Sequence, residues 1–350
     1  MELQLRNIGM IKEANVKIDG LTVIAGENDV GKSTVGKALY AVIKADNIAQ
    51  RLKADEHRSK EILATRLNLV FDGNISFDGK INFYNNNKEE VVFVHIRDKN
   101  FVSKFQSKRK DTSRFFDATF VQSPVVLDLV DFFGSVAKMK ERQKYDLELD
   151  FDIAYPYMMW DLYDKLSKEN PYPQAKKQQK IKNKISKIIS GEISTENAKF
   201  YYHKRVTPNA SIKLEMENTA TGIKSFGIIQ LLNDNKFFTK KNLLILDEPE
   251  VHLHPKWQLK MAKIIVELVE SGTKVLVNSH SPYMIEALRQ FSSMMGLENK
   301  TNFYIADSGN IKQIDEDNSR TLADIYELLS EPYDFFEEMD AKRLENFLDG

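Results

Sequence analysis

Apolar and polar positions alternate from the start of the chain. Leu3 and Leu5 fall on one side, Ile8 ends the segment, and Gly9 permits a turn. Ala14, Val16 and Ile18 then resume the two-residue period, which predicts a strand pair. Leu21-Thr22-Val23-Ile24-Ala25 predicts a short apolar strand running into a glycine-bearing loop. A helix is expected from near Lys32 through Ile43. The mixed stretch from about 45 to 70 predicts more helix. Ile75-Ser76-Phe77 and Ile81-Asn82-Phe83-Tyr84 flank Asp78-Gly79, a hairpin-turn signal. Val91 to Ile96 predicts a further strand, so an antiparallel flank is expected beside the main domain.

A strand at Ala118-Thr119-Phe120-Val121 stops at Gln122-Ser123-Pro124. The residues that follow, up to about 214, lack glycine-punctuated strand–helix alternation, and a mostly helical insertion or lid is expected over 125–214. It holds the aromatic stretch 155–160, Pro171, Pro173, and the basic run 176–187, where Ile181, Ile185, Ile188 and Ile189 supply an apolar stripe. Strand–helix alternation returns at Thr221. A helix is expected over 225–232, a strand over 243–246, a helix over 257–270, a strand over 273–277 and a helix over 282–288. Two strands joined through Asp307-Ser308-Gly309-Asn310 follow. Uniformly apolar strands alternating with helices predict an α/β core sheet covered on both faces. The expected head comprises 1–124 and 215–315, followed by an acidic helical cap at 316–350. In that cap Asp324, Glu327, Glu331, Asp334, Glu337, Glu338 and Asp340 accumulate, and Tyr326, Leu328, Leu329, Phe335 and Phe336 are candidates for burial.

Composition narrows the class. At 350 residues and 42% hydrophobic, the chain holds enough apolar material for a core without disulfide or metal staples. It has no cysteine, which excludes thiol chemistry and thiolate metal sites. Fifty Lys and Arg nearly cancel fifty-one Asp and Glu, for a net charge of -1, so the molecule as a whole is not marked as a nucleic-acid binder. The first residues lack signal-peptide character, and no stretch reaches the roughly 18 uncharged apolar residues of a membrane helix. A cytoplasmic protein with no membrane partner is expected.

The chemistry concentrates in four places. Gly26-Glu27-Asn28-Asp29-Val30-Gly31-Lys32-Ser33-Thr34 matches G-x-x-x-x-G-K-[ST] between a strand and a helix. Gly26 and Gly31 let backbone N–H groups wrap phosphate oxygens, and the helix N-terminus adds partial positive charge. Lys32 is expected on the β- and γ-phosphates and the Ser33 hydroxyl on Mg²⁺. Thr34 is expected to make a local backbone or phosphate contact. Leu243-Leu244-Ile245-Leu246-Asp247-Glu248 brings two carboxylates to the end of a buried strand, where open α/β sheets bind ligands. Asp247 is expected to hold Mg²⁺, and Glu248 to orient or deprotonate the attacking water. Val275-Leu276-Val277-Asn278-Ser279-His280 delivers a histidine to the same edge, suited to sensing the γ-phosphate or the water. Gln122, ending its strand, is expected to meet Mg²⁺ or that water. His252 and His254 have metal-like spacing but imply no third ligand, so a structural or interface role is expected for both.

With these residues the chain resembles the ABC-type ATPases of the SMC/RecF-like group. Within that group it is similar to bacterial and archaeal AAA family ATPases with an OLD-like head. The matching set is the Walker A loop at 26–34, the Q-loop Gln122, Walker B Asp247 and Glu248, and the switch His280. Ala220-Thr221-Gly222-Ile223-Lys224 lies where transporters carry Leu-Ser-Gly-Gly-Gln, with Ile223 departing from that pattern. The resemblance implies a P-loop NTPase fold with an ABC-type head, and ATP and Mg²⁺ as ligands. It further implies an ATP-dependent homodimer in which Thr221, Gly222 and Lys224 of one copy meet the γ-phosphate held by Gly26, Glu27, Asn28, Gly31, Lys32, Ser33 and Thr34 of the other. Residues 250–255 would cross that interface, and His254 stands where many relatives have aspartate. Relatives with an OLD-like head often add a Toprim nuclease domain, for which too few residues follow the last core strand.

The function expected is Mg-dependent ATP hydrolysis that drives dimerisation or a change of shape. The settings implied are genome maintenance, mobile-element biology or defence against phage, with DNA or an effector protein as further partners. Two alternatives come from other classes. One is an ATP-sensing or effector-binding module with little turnover, against which Glu248 argues. The other is the nucleotide subunit of a transporter, against which the altered signature and the long insertion argue.

Overall fold

The computed structural model describes residues 1–73, 75–99, 101–108, 114–143, 155–168, 175–207, 210–331 and 339. Pro171, Pro173, Asp334, Phe335, Phe336, Glu337, Glu338 and Asp340 lie outside them. The opening alternation folds as expected: β1 (Glu2–Ile8) pairs antiparallel with β2 (Ile11–Lys17), Leu3 opposite Val16 and Leu5 opposite Ala14. β3 (Leu21–Ala25) leads into the loop before α1 (Lys32–Arg51), and α2 (Glu56–Phe71) packs on α1. β4 (Ser76–Tyr84), β5 (Glu90–Lys99) and β6 (Phe101–Ser107) continue the antiparallel flank from β1.

Asp78-Gly79 does not turn a hairpin. It lies inside β4, with Asp78 opposite Arg97 and Gly79 opposite Ile96 of β5. The chain reverses at 85–89, where the Asn85 side chain accepts from the amides of Asn87 and Glu89 at 2.9 and 3.0 Å. Sheet neighbours on both sides of β4 outweigh the turn preference of one dipeptide.

β7 (Asp117–Val121) closes the far edge of the main sheet. The segment after it holds α3 (Val130–Gln143), α4 (Tyr157–Ser167) and α5 (Lys176–Ile189), as a helical insertion should. The expectation of helix fails over 191–215, where β8 (Gly191–Glu196), β9 (Lys199–Thr207) and β10 (Ala210–Glu215) form a separate antiparallel sheet. Its strands carry the period-two signal on one face only, with Ile193, Phe200 and Tyr202 buried. On α5, Ile181, Ile185 and Ile189 are buried, while Lys176, Lys177, Lys180 and Lys187 are exposed. The basic run is thus the solvated face of an amphipathic helix.

The remaining core follows as α6 (Thr221–Asp234), β11 (Asn242–Asp247), α7 (Pro255–Glu270), β12 (Lys274–Ser279), α8 (Pro282–Met294), β13 (Thr301–Asp307) and β14 (Asn310–Lys312). Among the described residues the main sheet has 11 strands in the order β6-β5-β4-β1-β2-β14-β13-β3-β12-β11-β7. Its β13-β3-β12-β11-β7 half is parallel. Side chains of these strands alternate between two cores. Val23, Leu244, Val277 and Phe303 join α6, α7 and α8 on one face, while Ile24, Ile245, Leu276 and Tyr304 join α1 on the other. This two-sided burial is why the strands read as apolar runs.

The insertion is tied to the sheet by buried charge. Lys165 of α4, 3% exposed, donates to Ala118 O at 2.6 Å and Thr119 Oγ1 at 2.9 Å, and pairs with Asp117 at 2.9 Å and Asp161 at 3.1 Å. Lys44 of α1 pairs with the same two carboxylates at 2.7 Å each. Beyond β14, a helix at 319–331 buries Leu322 and Ile325, and Tyr326, Leu328 and Leu329 pack against the core.

Candidate nucleotide site

Parallel strands with matched registers bring the three chemical segments to one sheet edge. Ala25 ends β3 opposite Ser279 of β12, Asn278 lies opposite Asp247 of β11, and Leu246 lies opposite Val121 of β7. The next residues along are therefore the Walker A loop, His280, Glu248 and Gln122. This is the carboxyl edge at which open α/β sheets bind ligands.

The loop is shaped by its glycines. Gly31 precedes α1 with φ 95°, a conformation that a side chain resists, and a Cβ there would press on Ile11 Cδ1. A Cβ on Gly26 would run into Ala306 of β13. The backbone is thus drawn tight against its neighbours, and α1 begins at Lys32 as expected. The ammonium of Lys32, only 4% exposed, donates to Gly26 O at 2.9 Å and to Glu27 O. Burial lowers its pKa, opposed by Glu248, Asp247 and Glu250. Glu27 and Asn28 are exposed on the outside of the loop. Thr34 donates its amide to Gly31 O at 3.0 Å, and its methyl lies against Gly9.

Asp247 is held by two donors on one oxygen. Ser33 Oγ donates to its Oδ1 at 2.9 Å, and Asn278 Nδ2 donates to the same atom at 2.7 Å. Burial pushes its carboxyl up, against the pull of those two hydrogen bonds. Glu248 follows with φ 52°, a left-handed conformation unusual outside glycine, and its amide donates to Asn278 O at 2.9 Å. Its carboxylate lies 3.2 Å from Nδ1 of His280. Gln122 is exposed at the end of β7 and lines a cavity of about 380 Å³ with Ser33, Asp247, Glu248 and Ser225.

The residues suit a phosphate-bound Mg²⁺. A hydroxyl and a carboxylate sharing one hydrogen bond are hard oxygen ligands already in contact. His254 instead caps α7, its Nδ1 accepting from Lys256 N at 3.3 Å.

The signature residues depart in part from expectation. α6 begins at Thr221, not 225, with Thr221 and Gly222 in its first turn. A Cβ on Gly222 would meet the Trp257 ring at 3.0 Å and Leu253 at 3.2 Å, so this glycine serves packing within its own chain. Lys224 is buried, its ammonium held by Asp128 and by Glu217 O at 3.0 Å. Lys224, expected as a nucleotide contact, is thus held within its own chain in this structure. Sequence reasoning also missed Asn278 and Glu250. The only signal for them was polar residues beside known motif positions, which does not say what they touch.

The fold and this loop define a P-loop NTPase. The chain belongs to the AAA ATPase domain family, whose profile matches residues 1–154 and 157–285. It is 22% identical over 337 residues to Septu protein PtuA of Bacillus thuringiensis, covering 89% of this chain and 79% of that protein. Among solved structures it is similar to an SMC head bound to the C-winged helix domain of ScpA, at 14% identity and a TM-score of 0.47, covering 89% and 95% of the two chains. It is likewise similar to the SMC head domain from Thermotoga maritima, at 14% identity and a TM-score of 0.43, covering 89% and 96%. Among the described residues no helix is long and apolar enough to cross a membrane.

Proposed function

We propose that the chain is a Mg-dependent ATPase whose site is completed by a second copy. The observation that supports it is the gathering of Lys32, Ser33, Asp247, Glu248 and His280 at one sheet edge from distant parts of the sequence. Gly26, Gly31 and the α1 N-terminus grip the phosphates, with Glu27, Asn28 and Thr34 beside them, and Lys32 leaves its loop carbonyls for the phosphate oxygens. Ser33 and Asp247, with Gln122 near, would hold Mg²⁺, which would supply charge neutralisation when bound. Glu248 takes a proton from water as the water oxygen bonds to the γ-phosphorus. The bond to the β-phosphate oxygen breaks, and its electron pair leaves with ADP. Thr221 and Gly222 face the γ-phosphate of the partner copy.

In this reading the head is OLD-like, works in the cytoplasm, and acts in defence against phage, with DNA or an effector protein as further partner. The defence setting is supported by the match to Septu protein PtuA along most of the chain. ATP turnover of the wild type and Glu248→Gln, with and without DNA, tests the proposal. Turnover in the wild type and its loss in Glu248→Gln are expected. A wild type that releases no phosphate under any of these conditions overturns it.

A further inference from the structure

Glu250 has no task in the reading above, yet it is buried at the centre of the edge. It is 3% exposed, and its Oε1 accepts from Ser279 Oγ at 2.7 Å and from the His280 amide at 3.0 Å. Its Oε2 is buried without a hydrogen-bond partner among the described residues. Nδ1 of the His280 ring lies 3.7 Å from Glu250 Oε1 and 3.2 Å from Glu248 Oε1, with neither contact aligned as a hydrogen bond. The imidazole thus has a carboxylate on each side of one nitrogen. The two differ in freedom: the Glu248 side chain is 33% exposed, whereas the Glu250 side chain is 3% exposed and pinned by two donors.

We propose that Glu250 is the positioning residue of His280: it fixes the end of β12, accepts a hydrogen bond from Nδ1–H, and leaves Nε2 as an acceptor facing the attacking water. The inference rests on the ATPase reading for its purpose, though not for its geometry. A neutral imidazole carries one proton, and an acceptor fixed beside Nδ1 selects the tautomer that keeps it there. The separation of 3.7 Å is about half an ångström beyond hydrogen-bond range, within reach of a small ring rotation. When Glu248 turns to its water, Glu250 still holds the ring. A carboxylate free to turn cannot both activate water and orient the histidine.

Glu250→Gln separates this role from simple capping. The amide oxygen that still accepts from Ser279 and the His280 amide is also the atom beside Nδ1, but it is neutral and a weaker acceptor than a carboxylate oxygen, so its hold on the Nδ1–H tautomer is lost or weakened. The test uses the full chain with ¹⁵N-labelled histidine at alkaline pH, where imidazole is neutral. Its six histidines are resolved by comparison with a His280→Gln spectrum. The wild type is expected to show Nδ1–H at His280 and Glu250→Gln to show Nε2–H. Glu250→Gln is also expected to lower kcat about 10–100-fold with KM for ATP within about twofold. Nε2–H in the wild type, or the same tautomer in both proteins, overturns the proposal. The spectra decide even if no turnover is found, a result that would count against the ATPase reading alone. If Glu250→Gln does not fold, the wild-type spectrum still decides, and Ser279→Ala, which loosens Glu250, should broaden or shift the His280 signals.

Discussion

Ser33 Oγ and Asp247 Oδ1 share a 2.9 Å hydrogen bond across 214 positions of sequence. The first stands at the start of α1, after β3, and the second at the end of β11, and the parallel strand β12 between them brings the two strand ends to one edge. A loop able to hold phosphate and a strand end able to hold a cation thereby become one site.

Lys32→Ala should weaken ATP binding about 10–100-fold, because charge-assisted hydrogen bonds from an ammonium contribute about 1.5–3 kcal/mol. Calorimetry reads this directly. Unchanged affinity would mean that the ammonium stays on Gly26 and Glu27 with nucleotide bound.

Glu248→Gln should retain ATP binding while turnover falls about 10²–10⁴-fold, the range for losing a general base. Light scattering should then show a dimer accumulating with ATP. A monomer at saturating ATP would contradict closure of the site by a second copy.

Gly222→Ala tests packing against recognition. The added Cβ presses on Trp257 and Leu253 of its own chain, so the apo-protein should lose about 1–3 kcal/mol in denaturant unfolding. An unchanged unfolding midpoint would assign this glycine to the partner's nucleotide alone.

Lys165→Met should cost about 3 kcal/mol, since Asp117 and Asp161 would lose one of the two lysines that they share in a buried setting. Chemical denaturation measures it. A neutral result would show that water reaches these carboxylates.

Stability should depend on pH through Glu250, whose carboxyl is pushed above its ordinary 4.5 by burial, against the pull of Ser279 and of the His280 amide and ring. A raised carboxyl favours the protonated folded state, so stability is lost as pH rises from the ordinary value through the folded one. Glu250→Gln removes that ionisation. It should melt above the wild type near about pH 7.5, with the gap closing toward about pH 4. A gap that is constant with pH would show that Glu250 is not desolvated.

Much of the site was legible because its residues are contiguous and chemically specialised. Lys32 follows a glycine that the tight loop requires, and Asp247 ends an apolar run that only a buried strand explains. The failures were contextual. Asp78-Gly79 is a turn signal only where no strand lies on either side, and here β1 and β5 occupy both. Helix was expected over 191–215, where β8, β9 and β10 form a separate sheet, and Lys224 meets Asp128, 96 residues away, a contact that no local pattern announces.

Local period and motif chemistry thus settled most strands and helices of the core and singled out the glycine-bounded loop before α1, because these depend on neighbours a few residues apart. Register settled the rest. Which carboxylate reaches Ser33, which glutamate lies buried against His280, and which glycine packs on Trp257 depend on segments that meet only when the sheet assembles. Those contacts are set by burial and by the order of parallel strands, neither of which any short stretch of sequence contains.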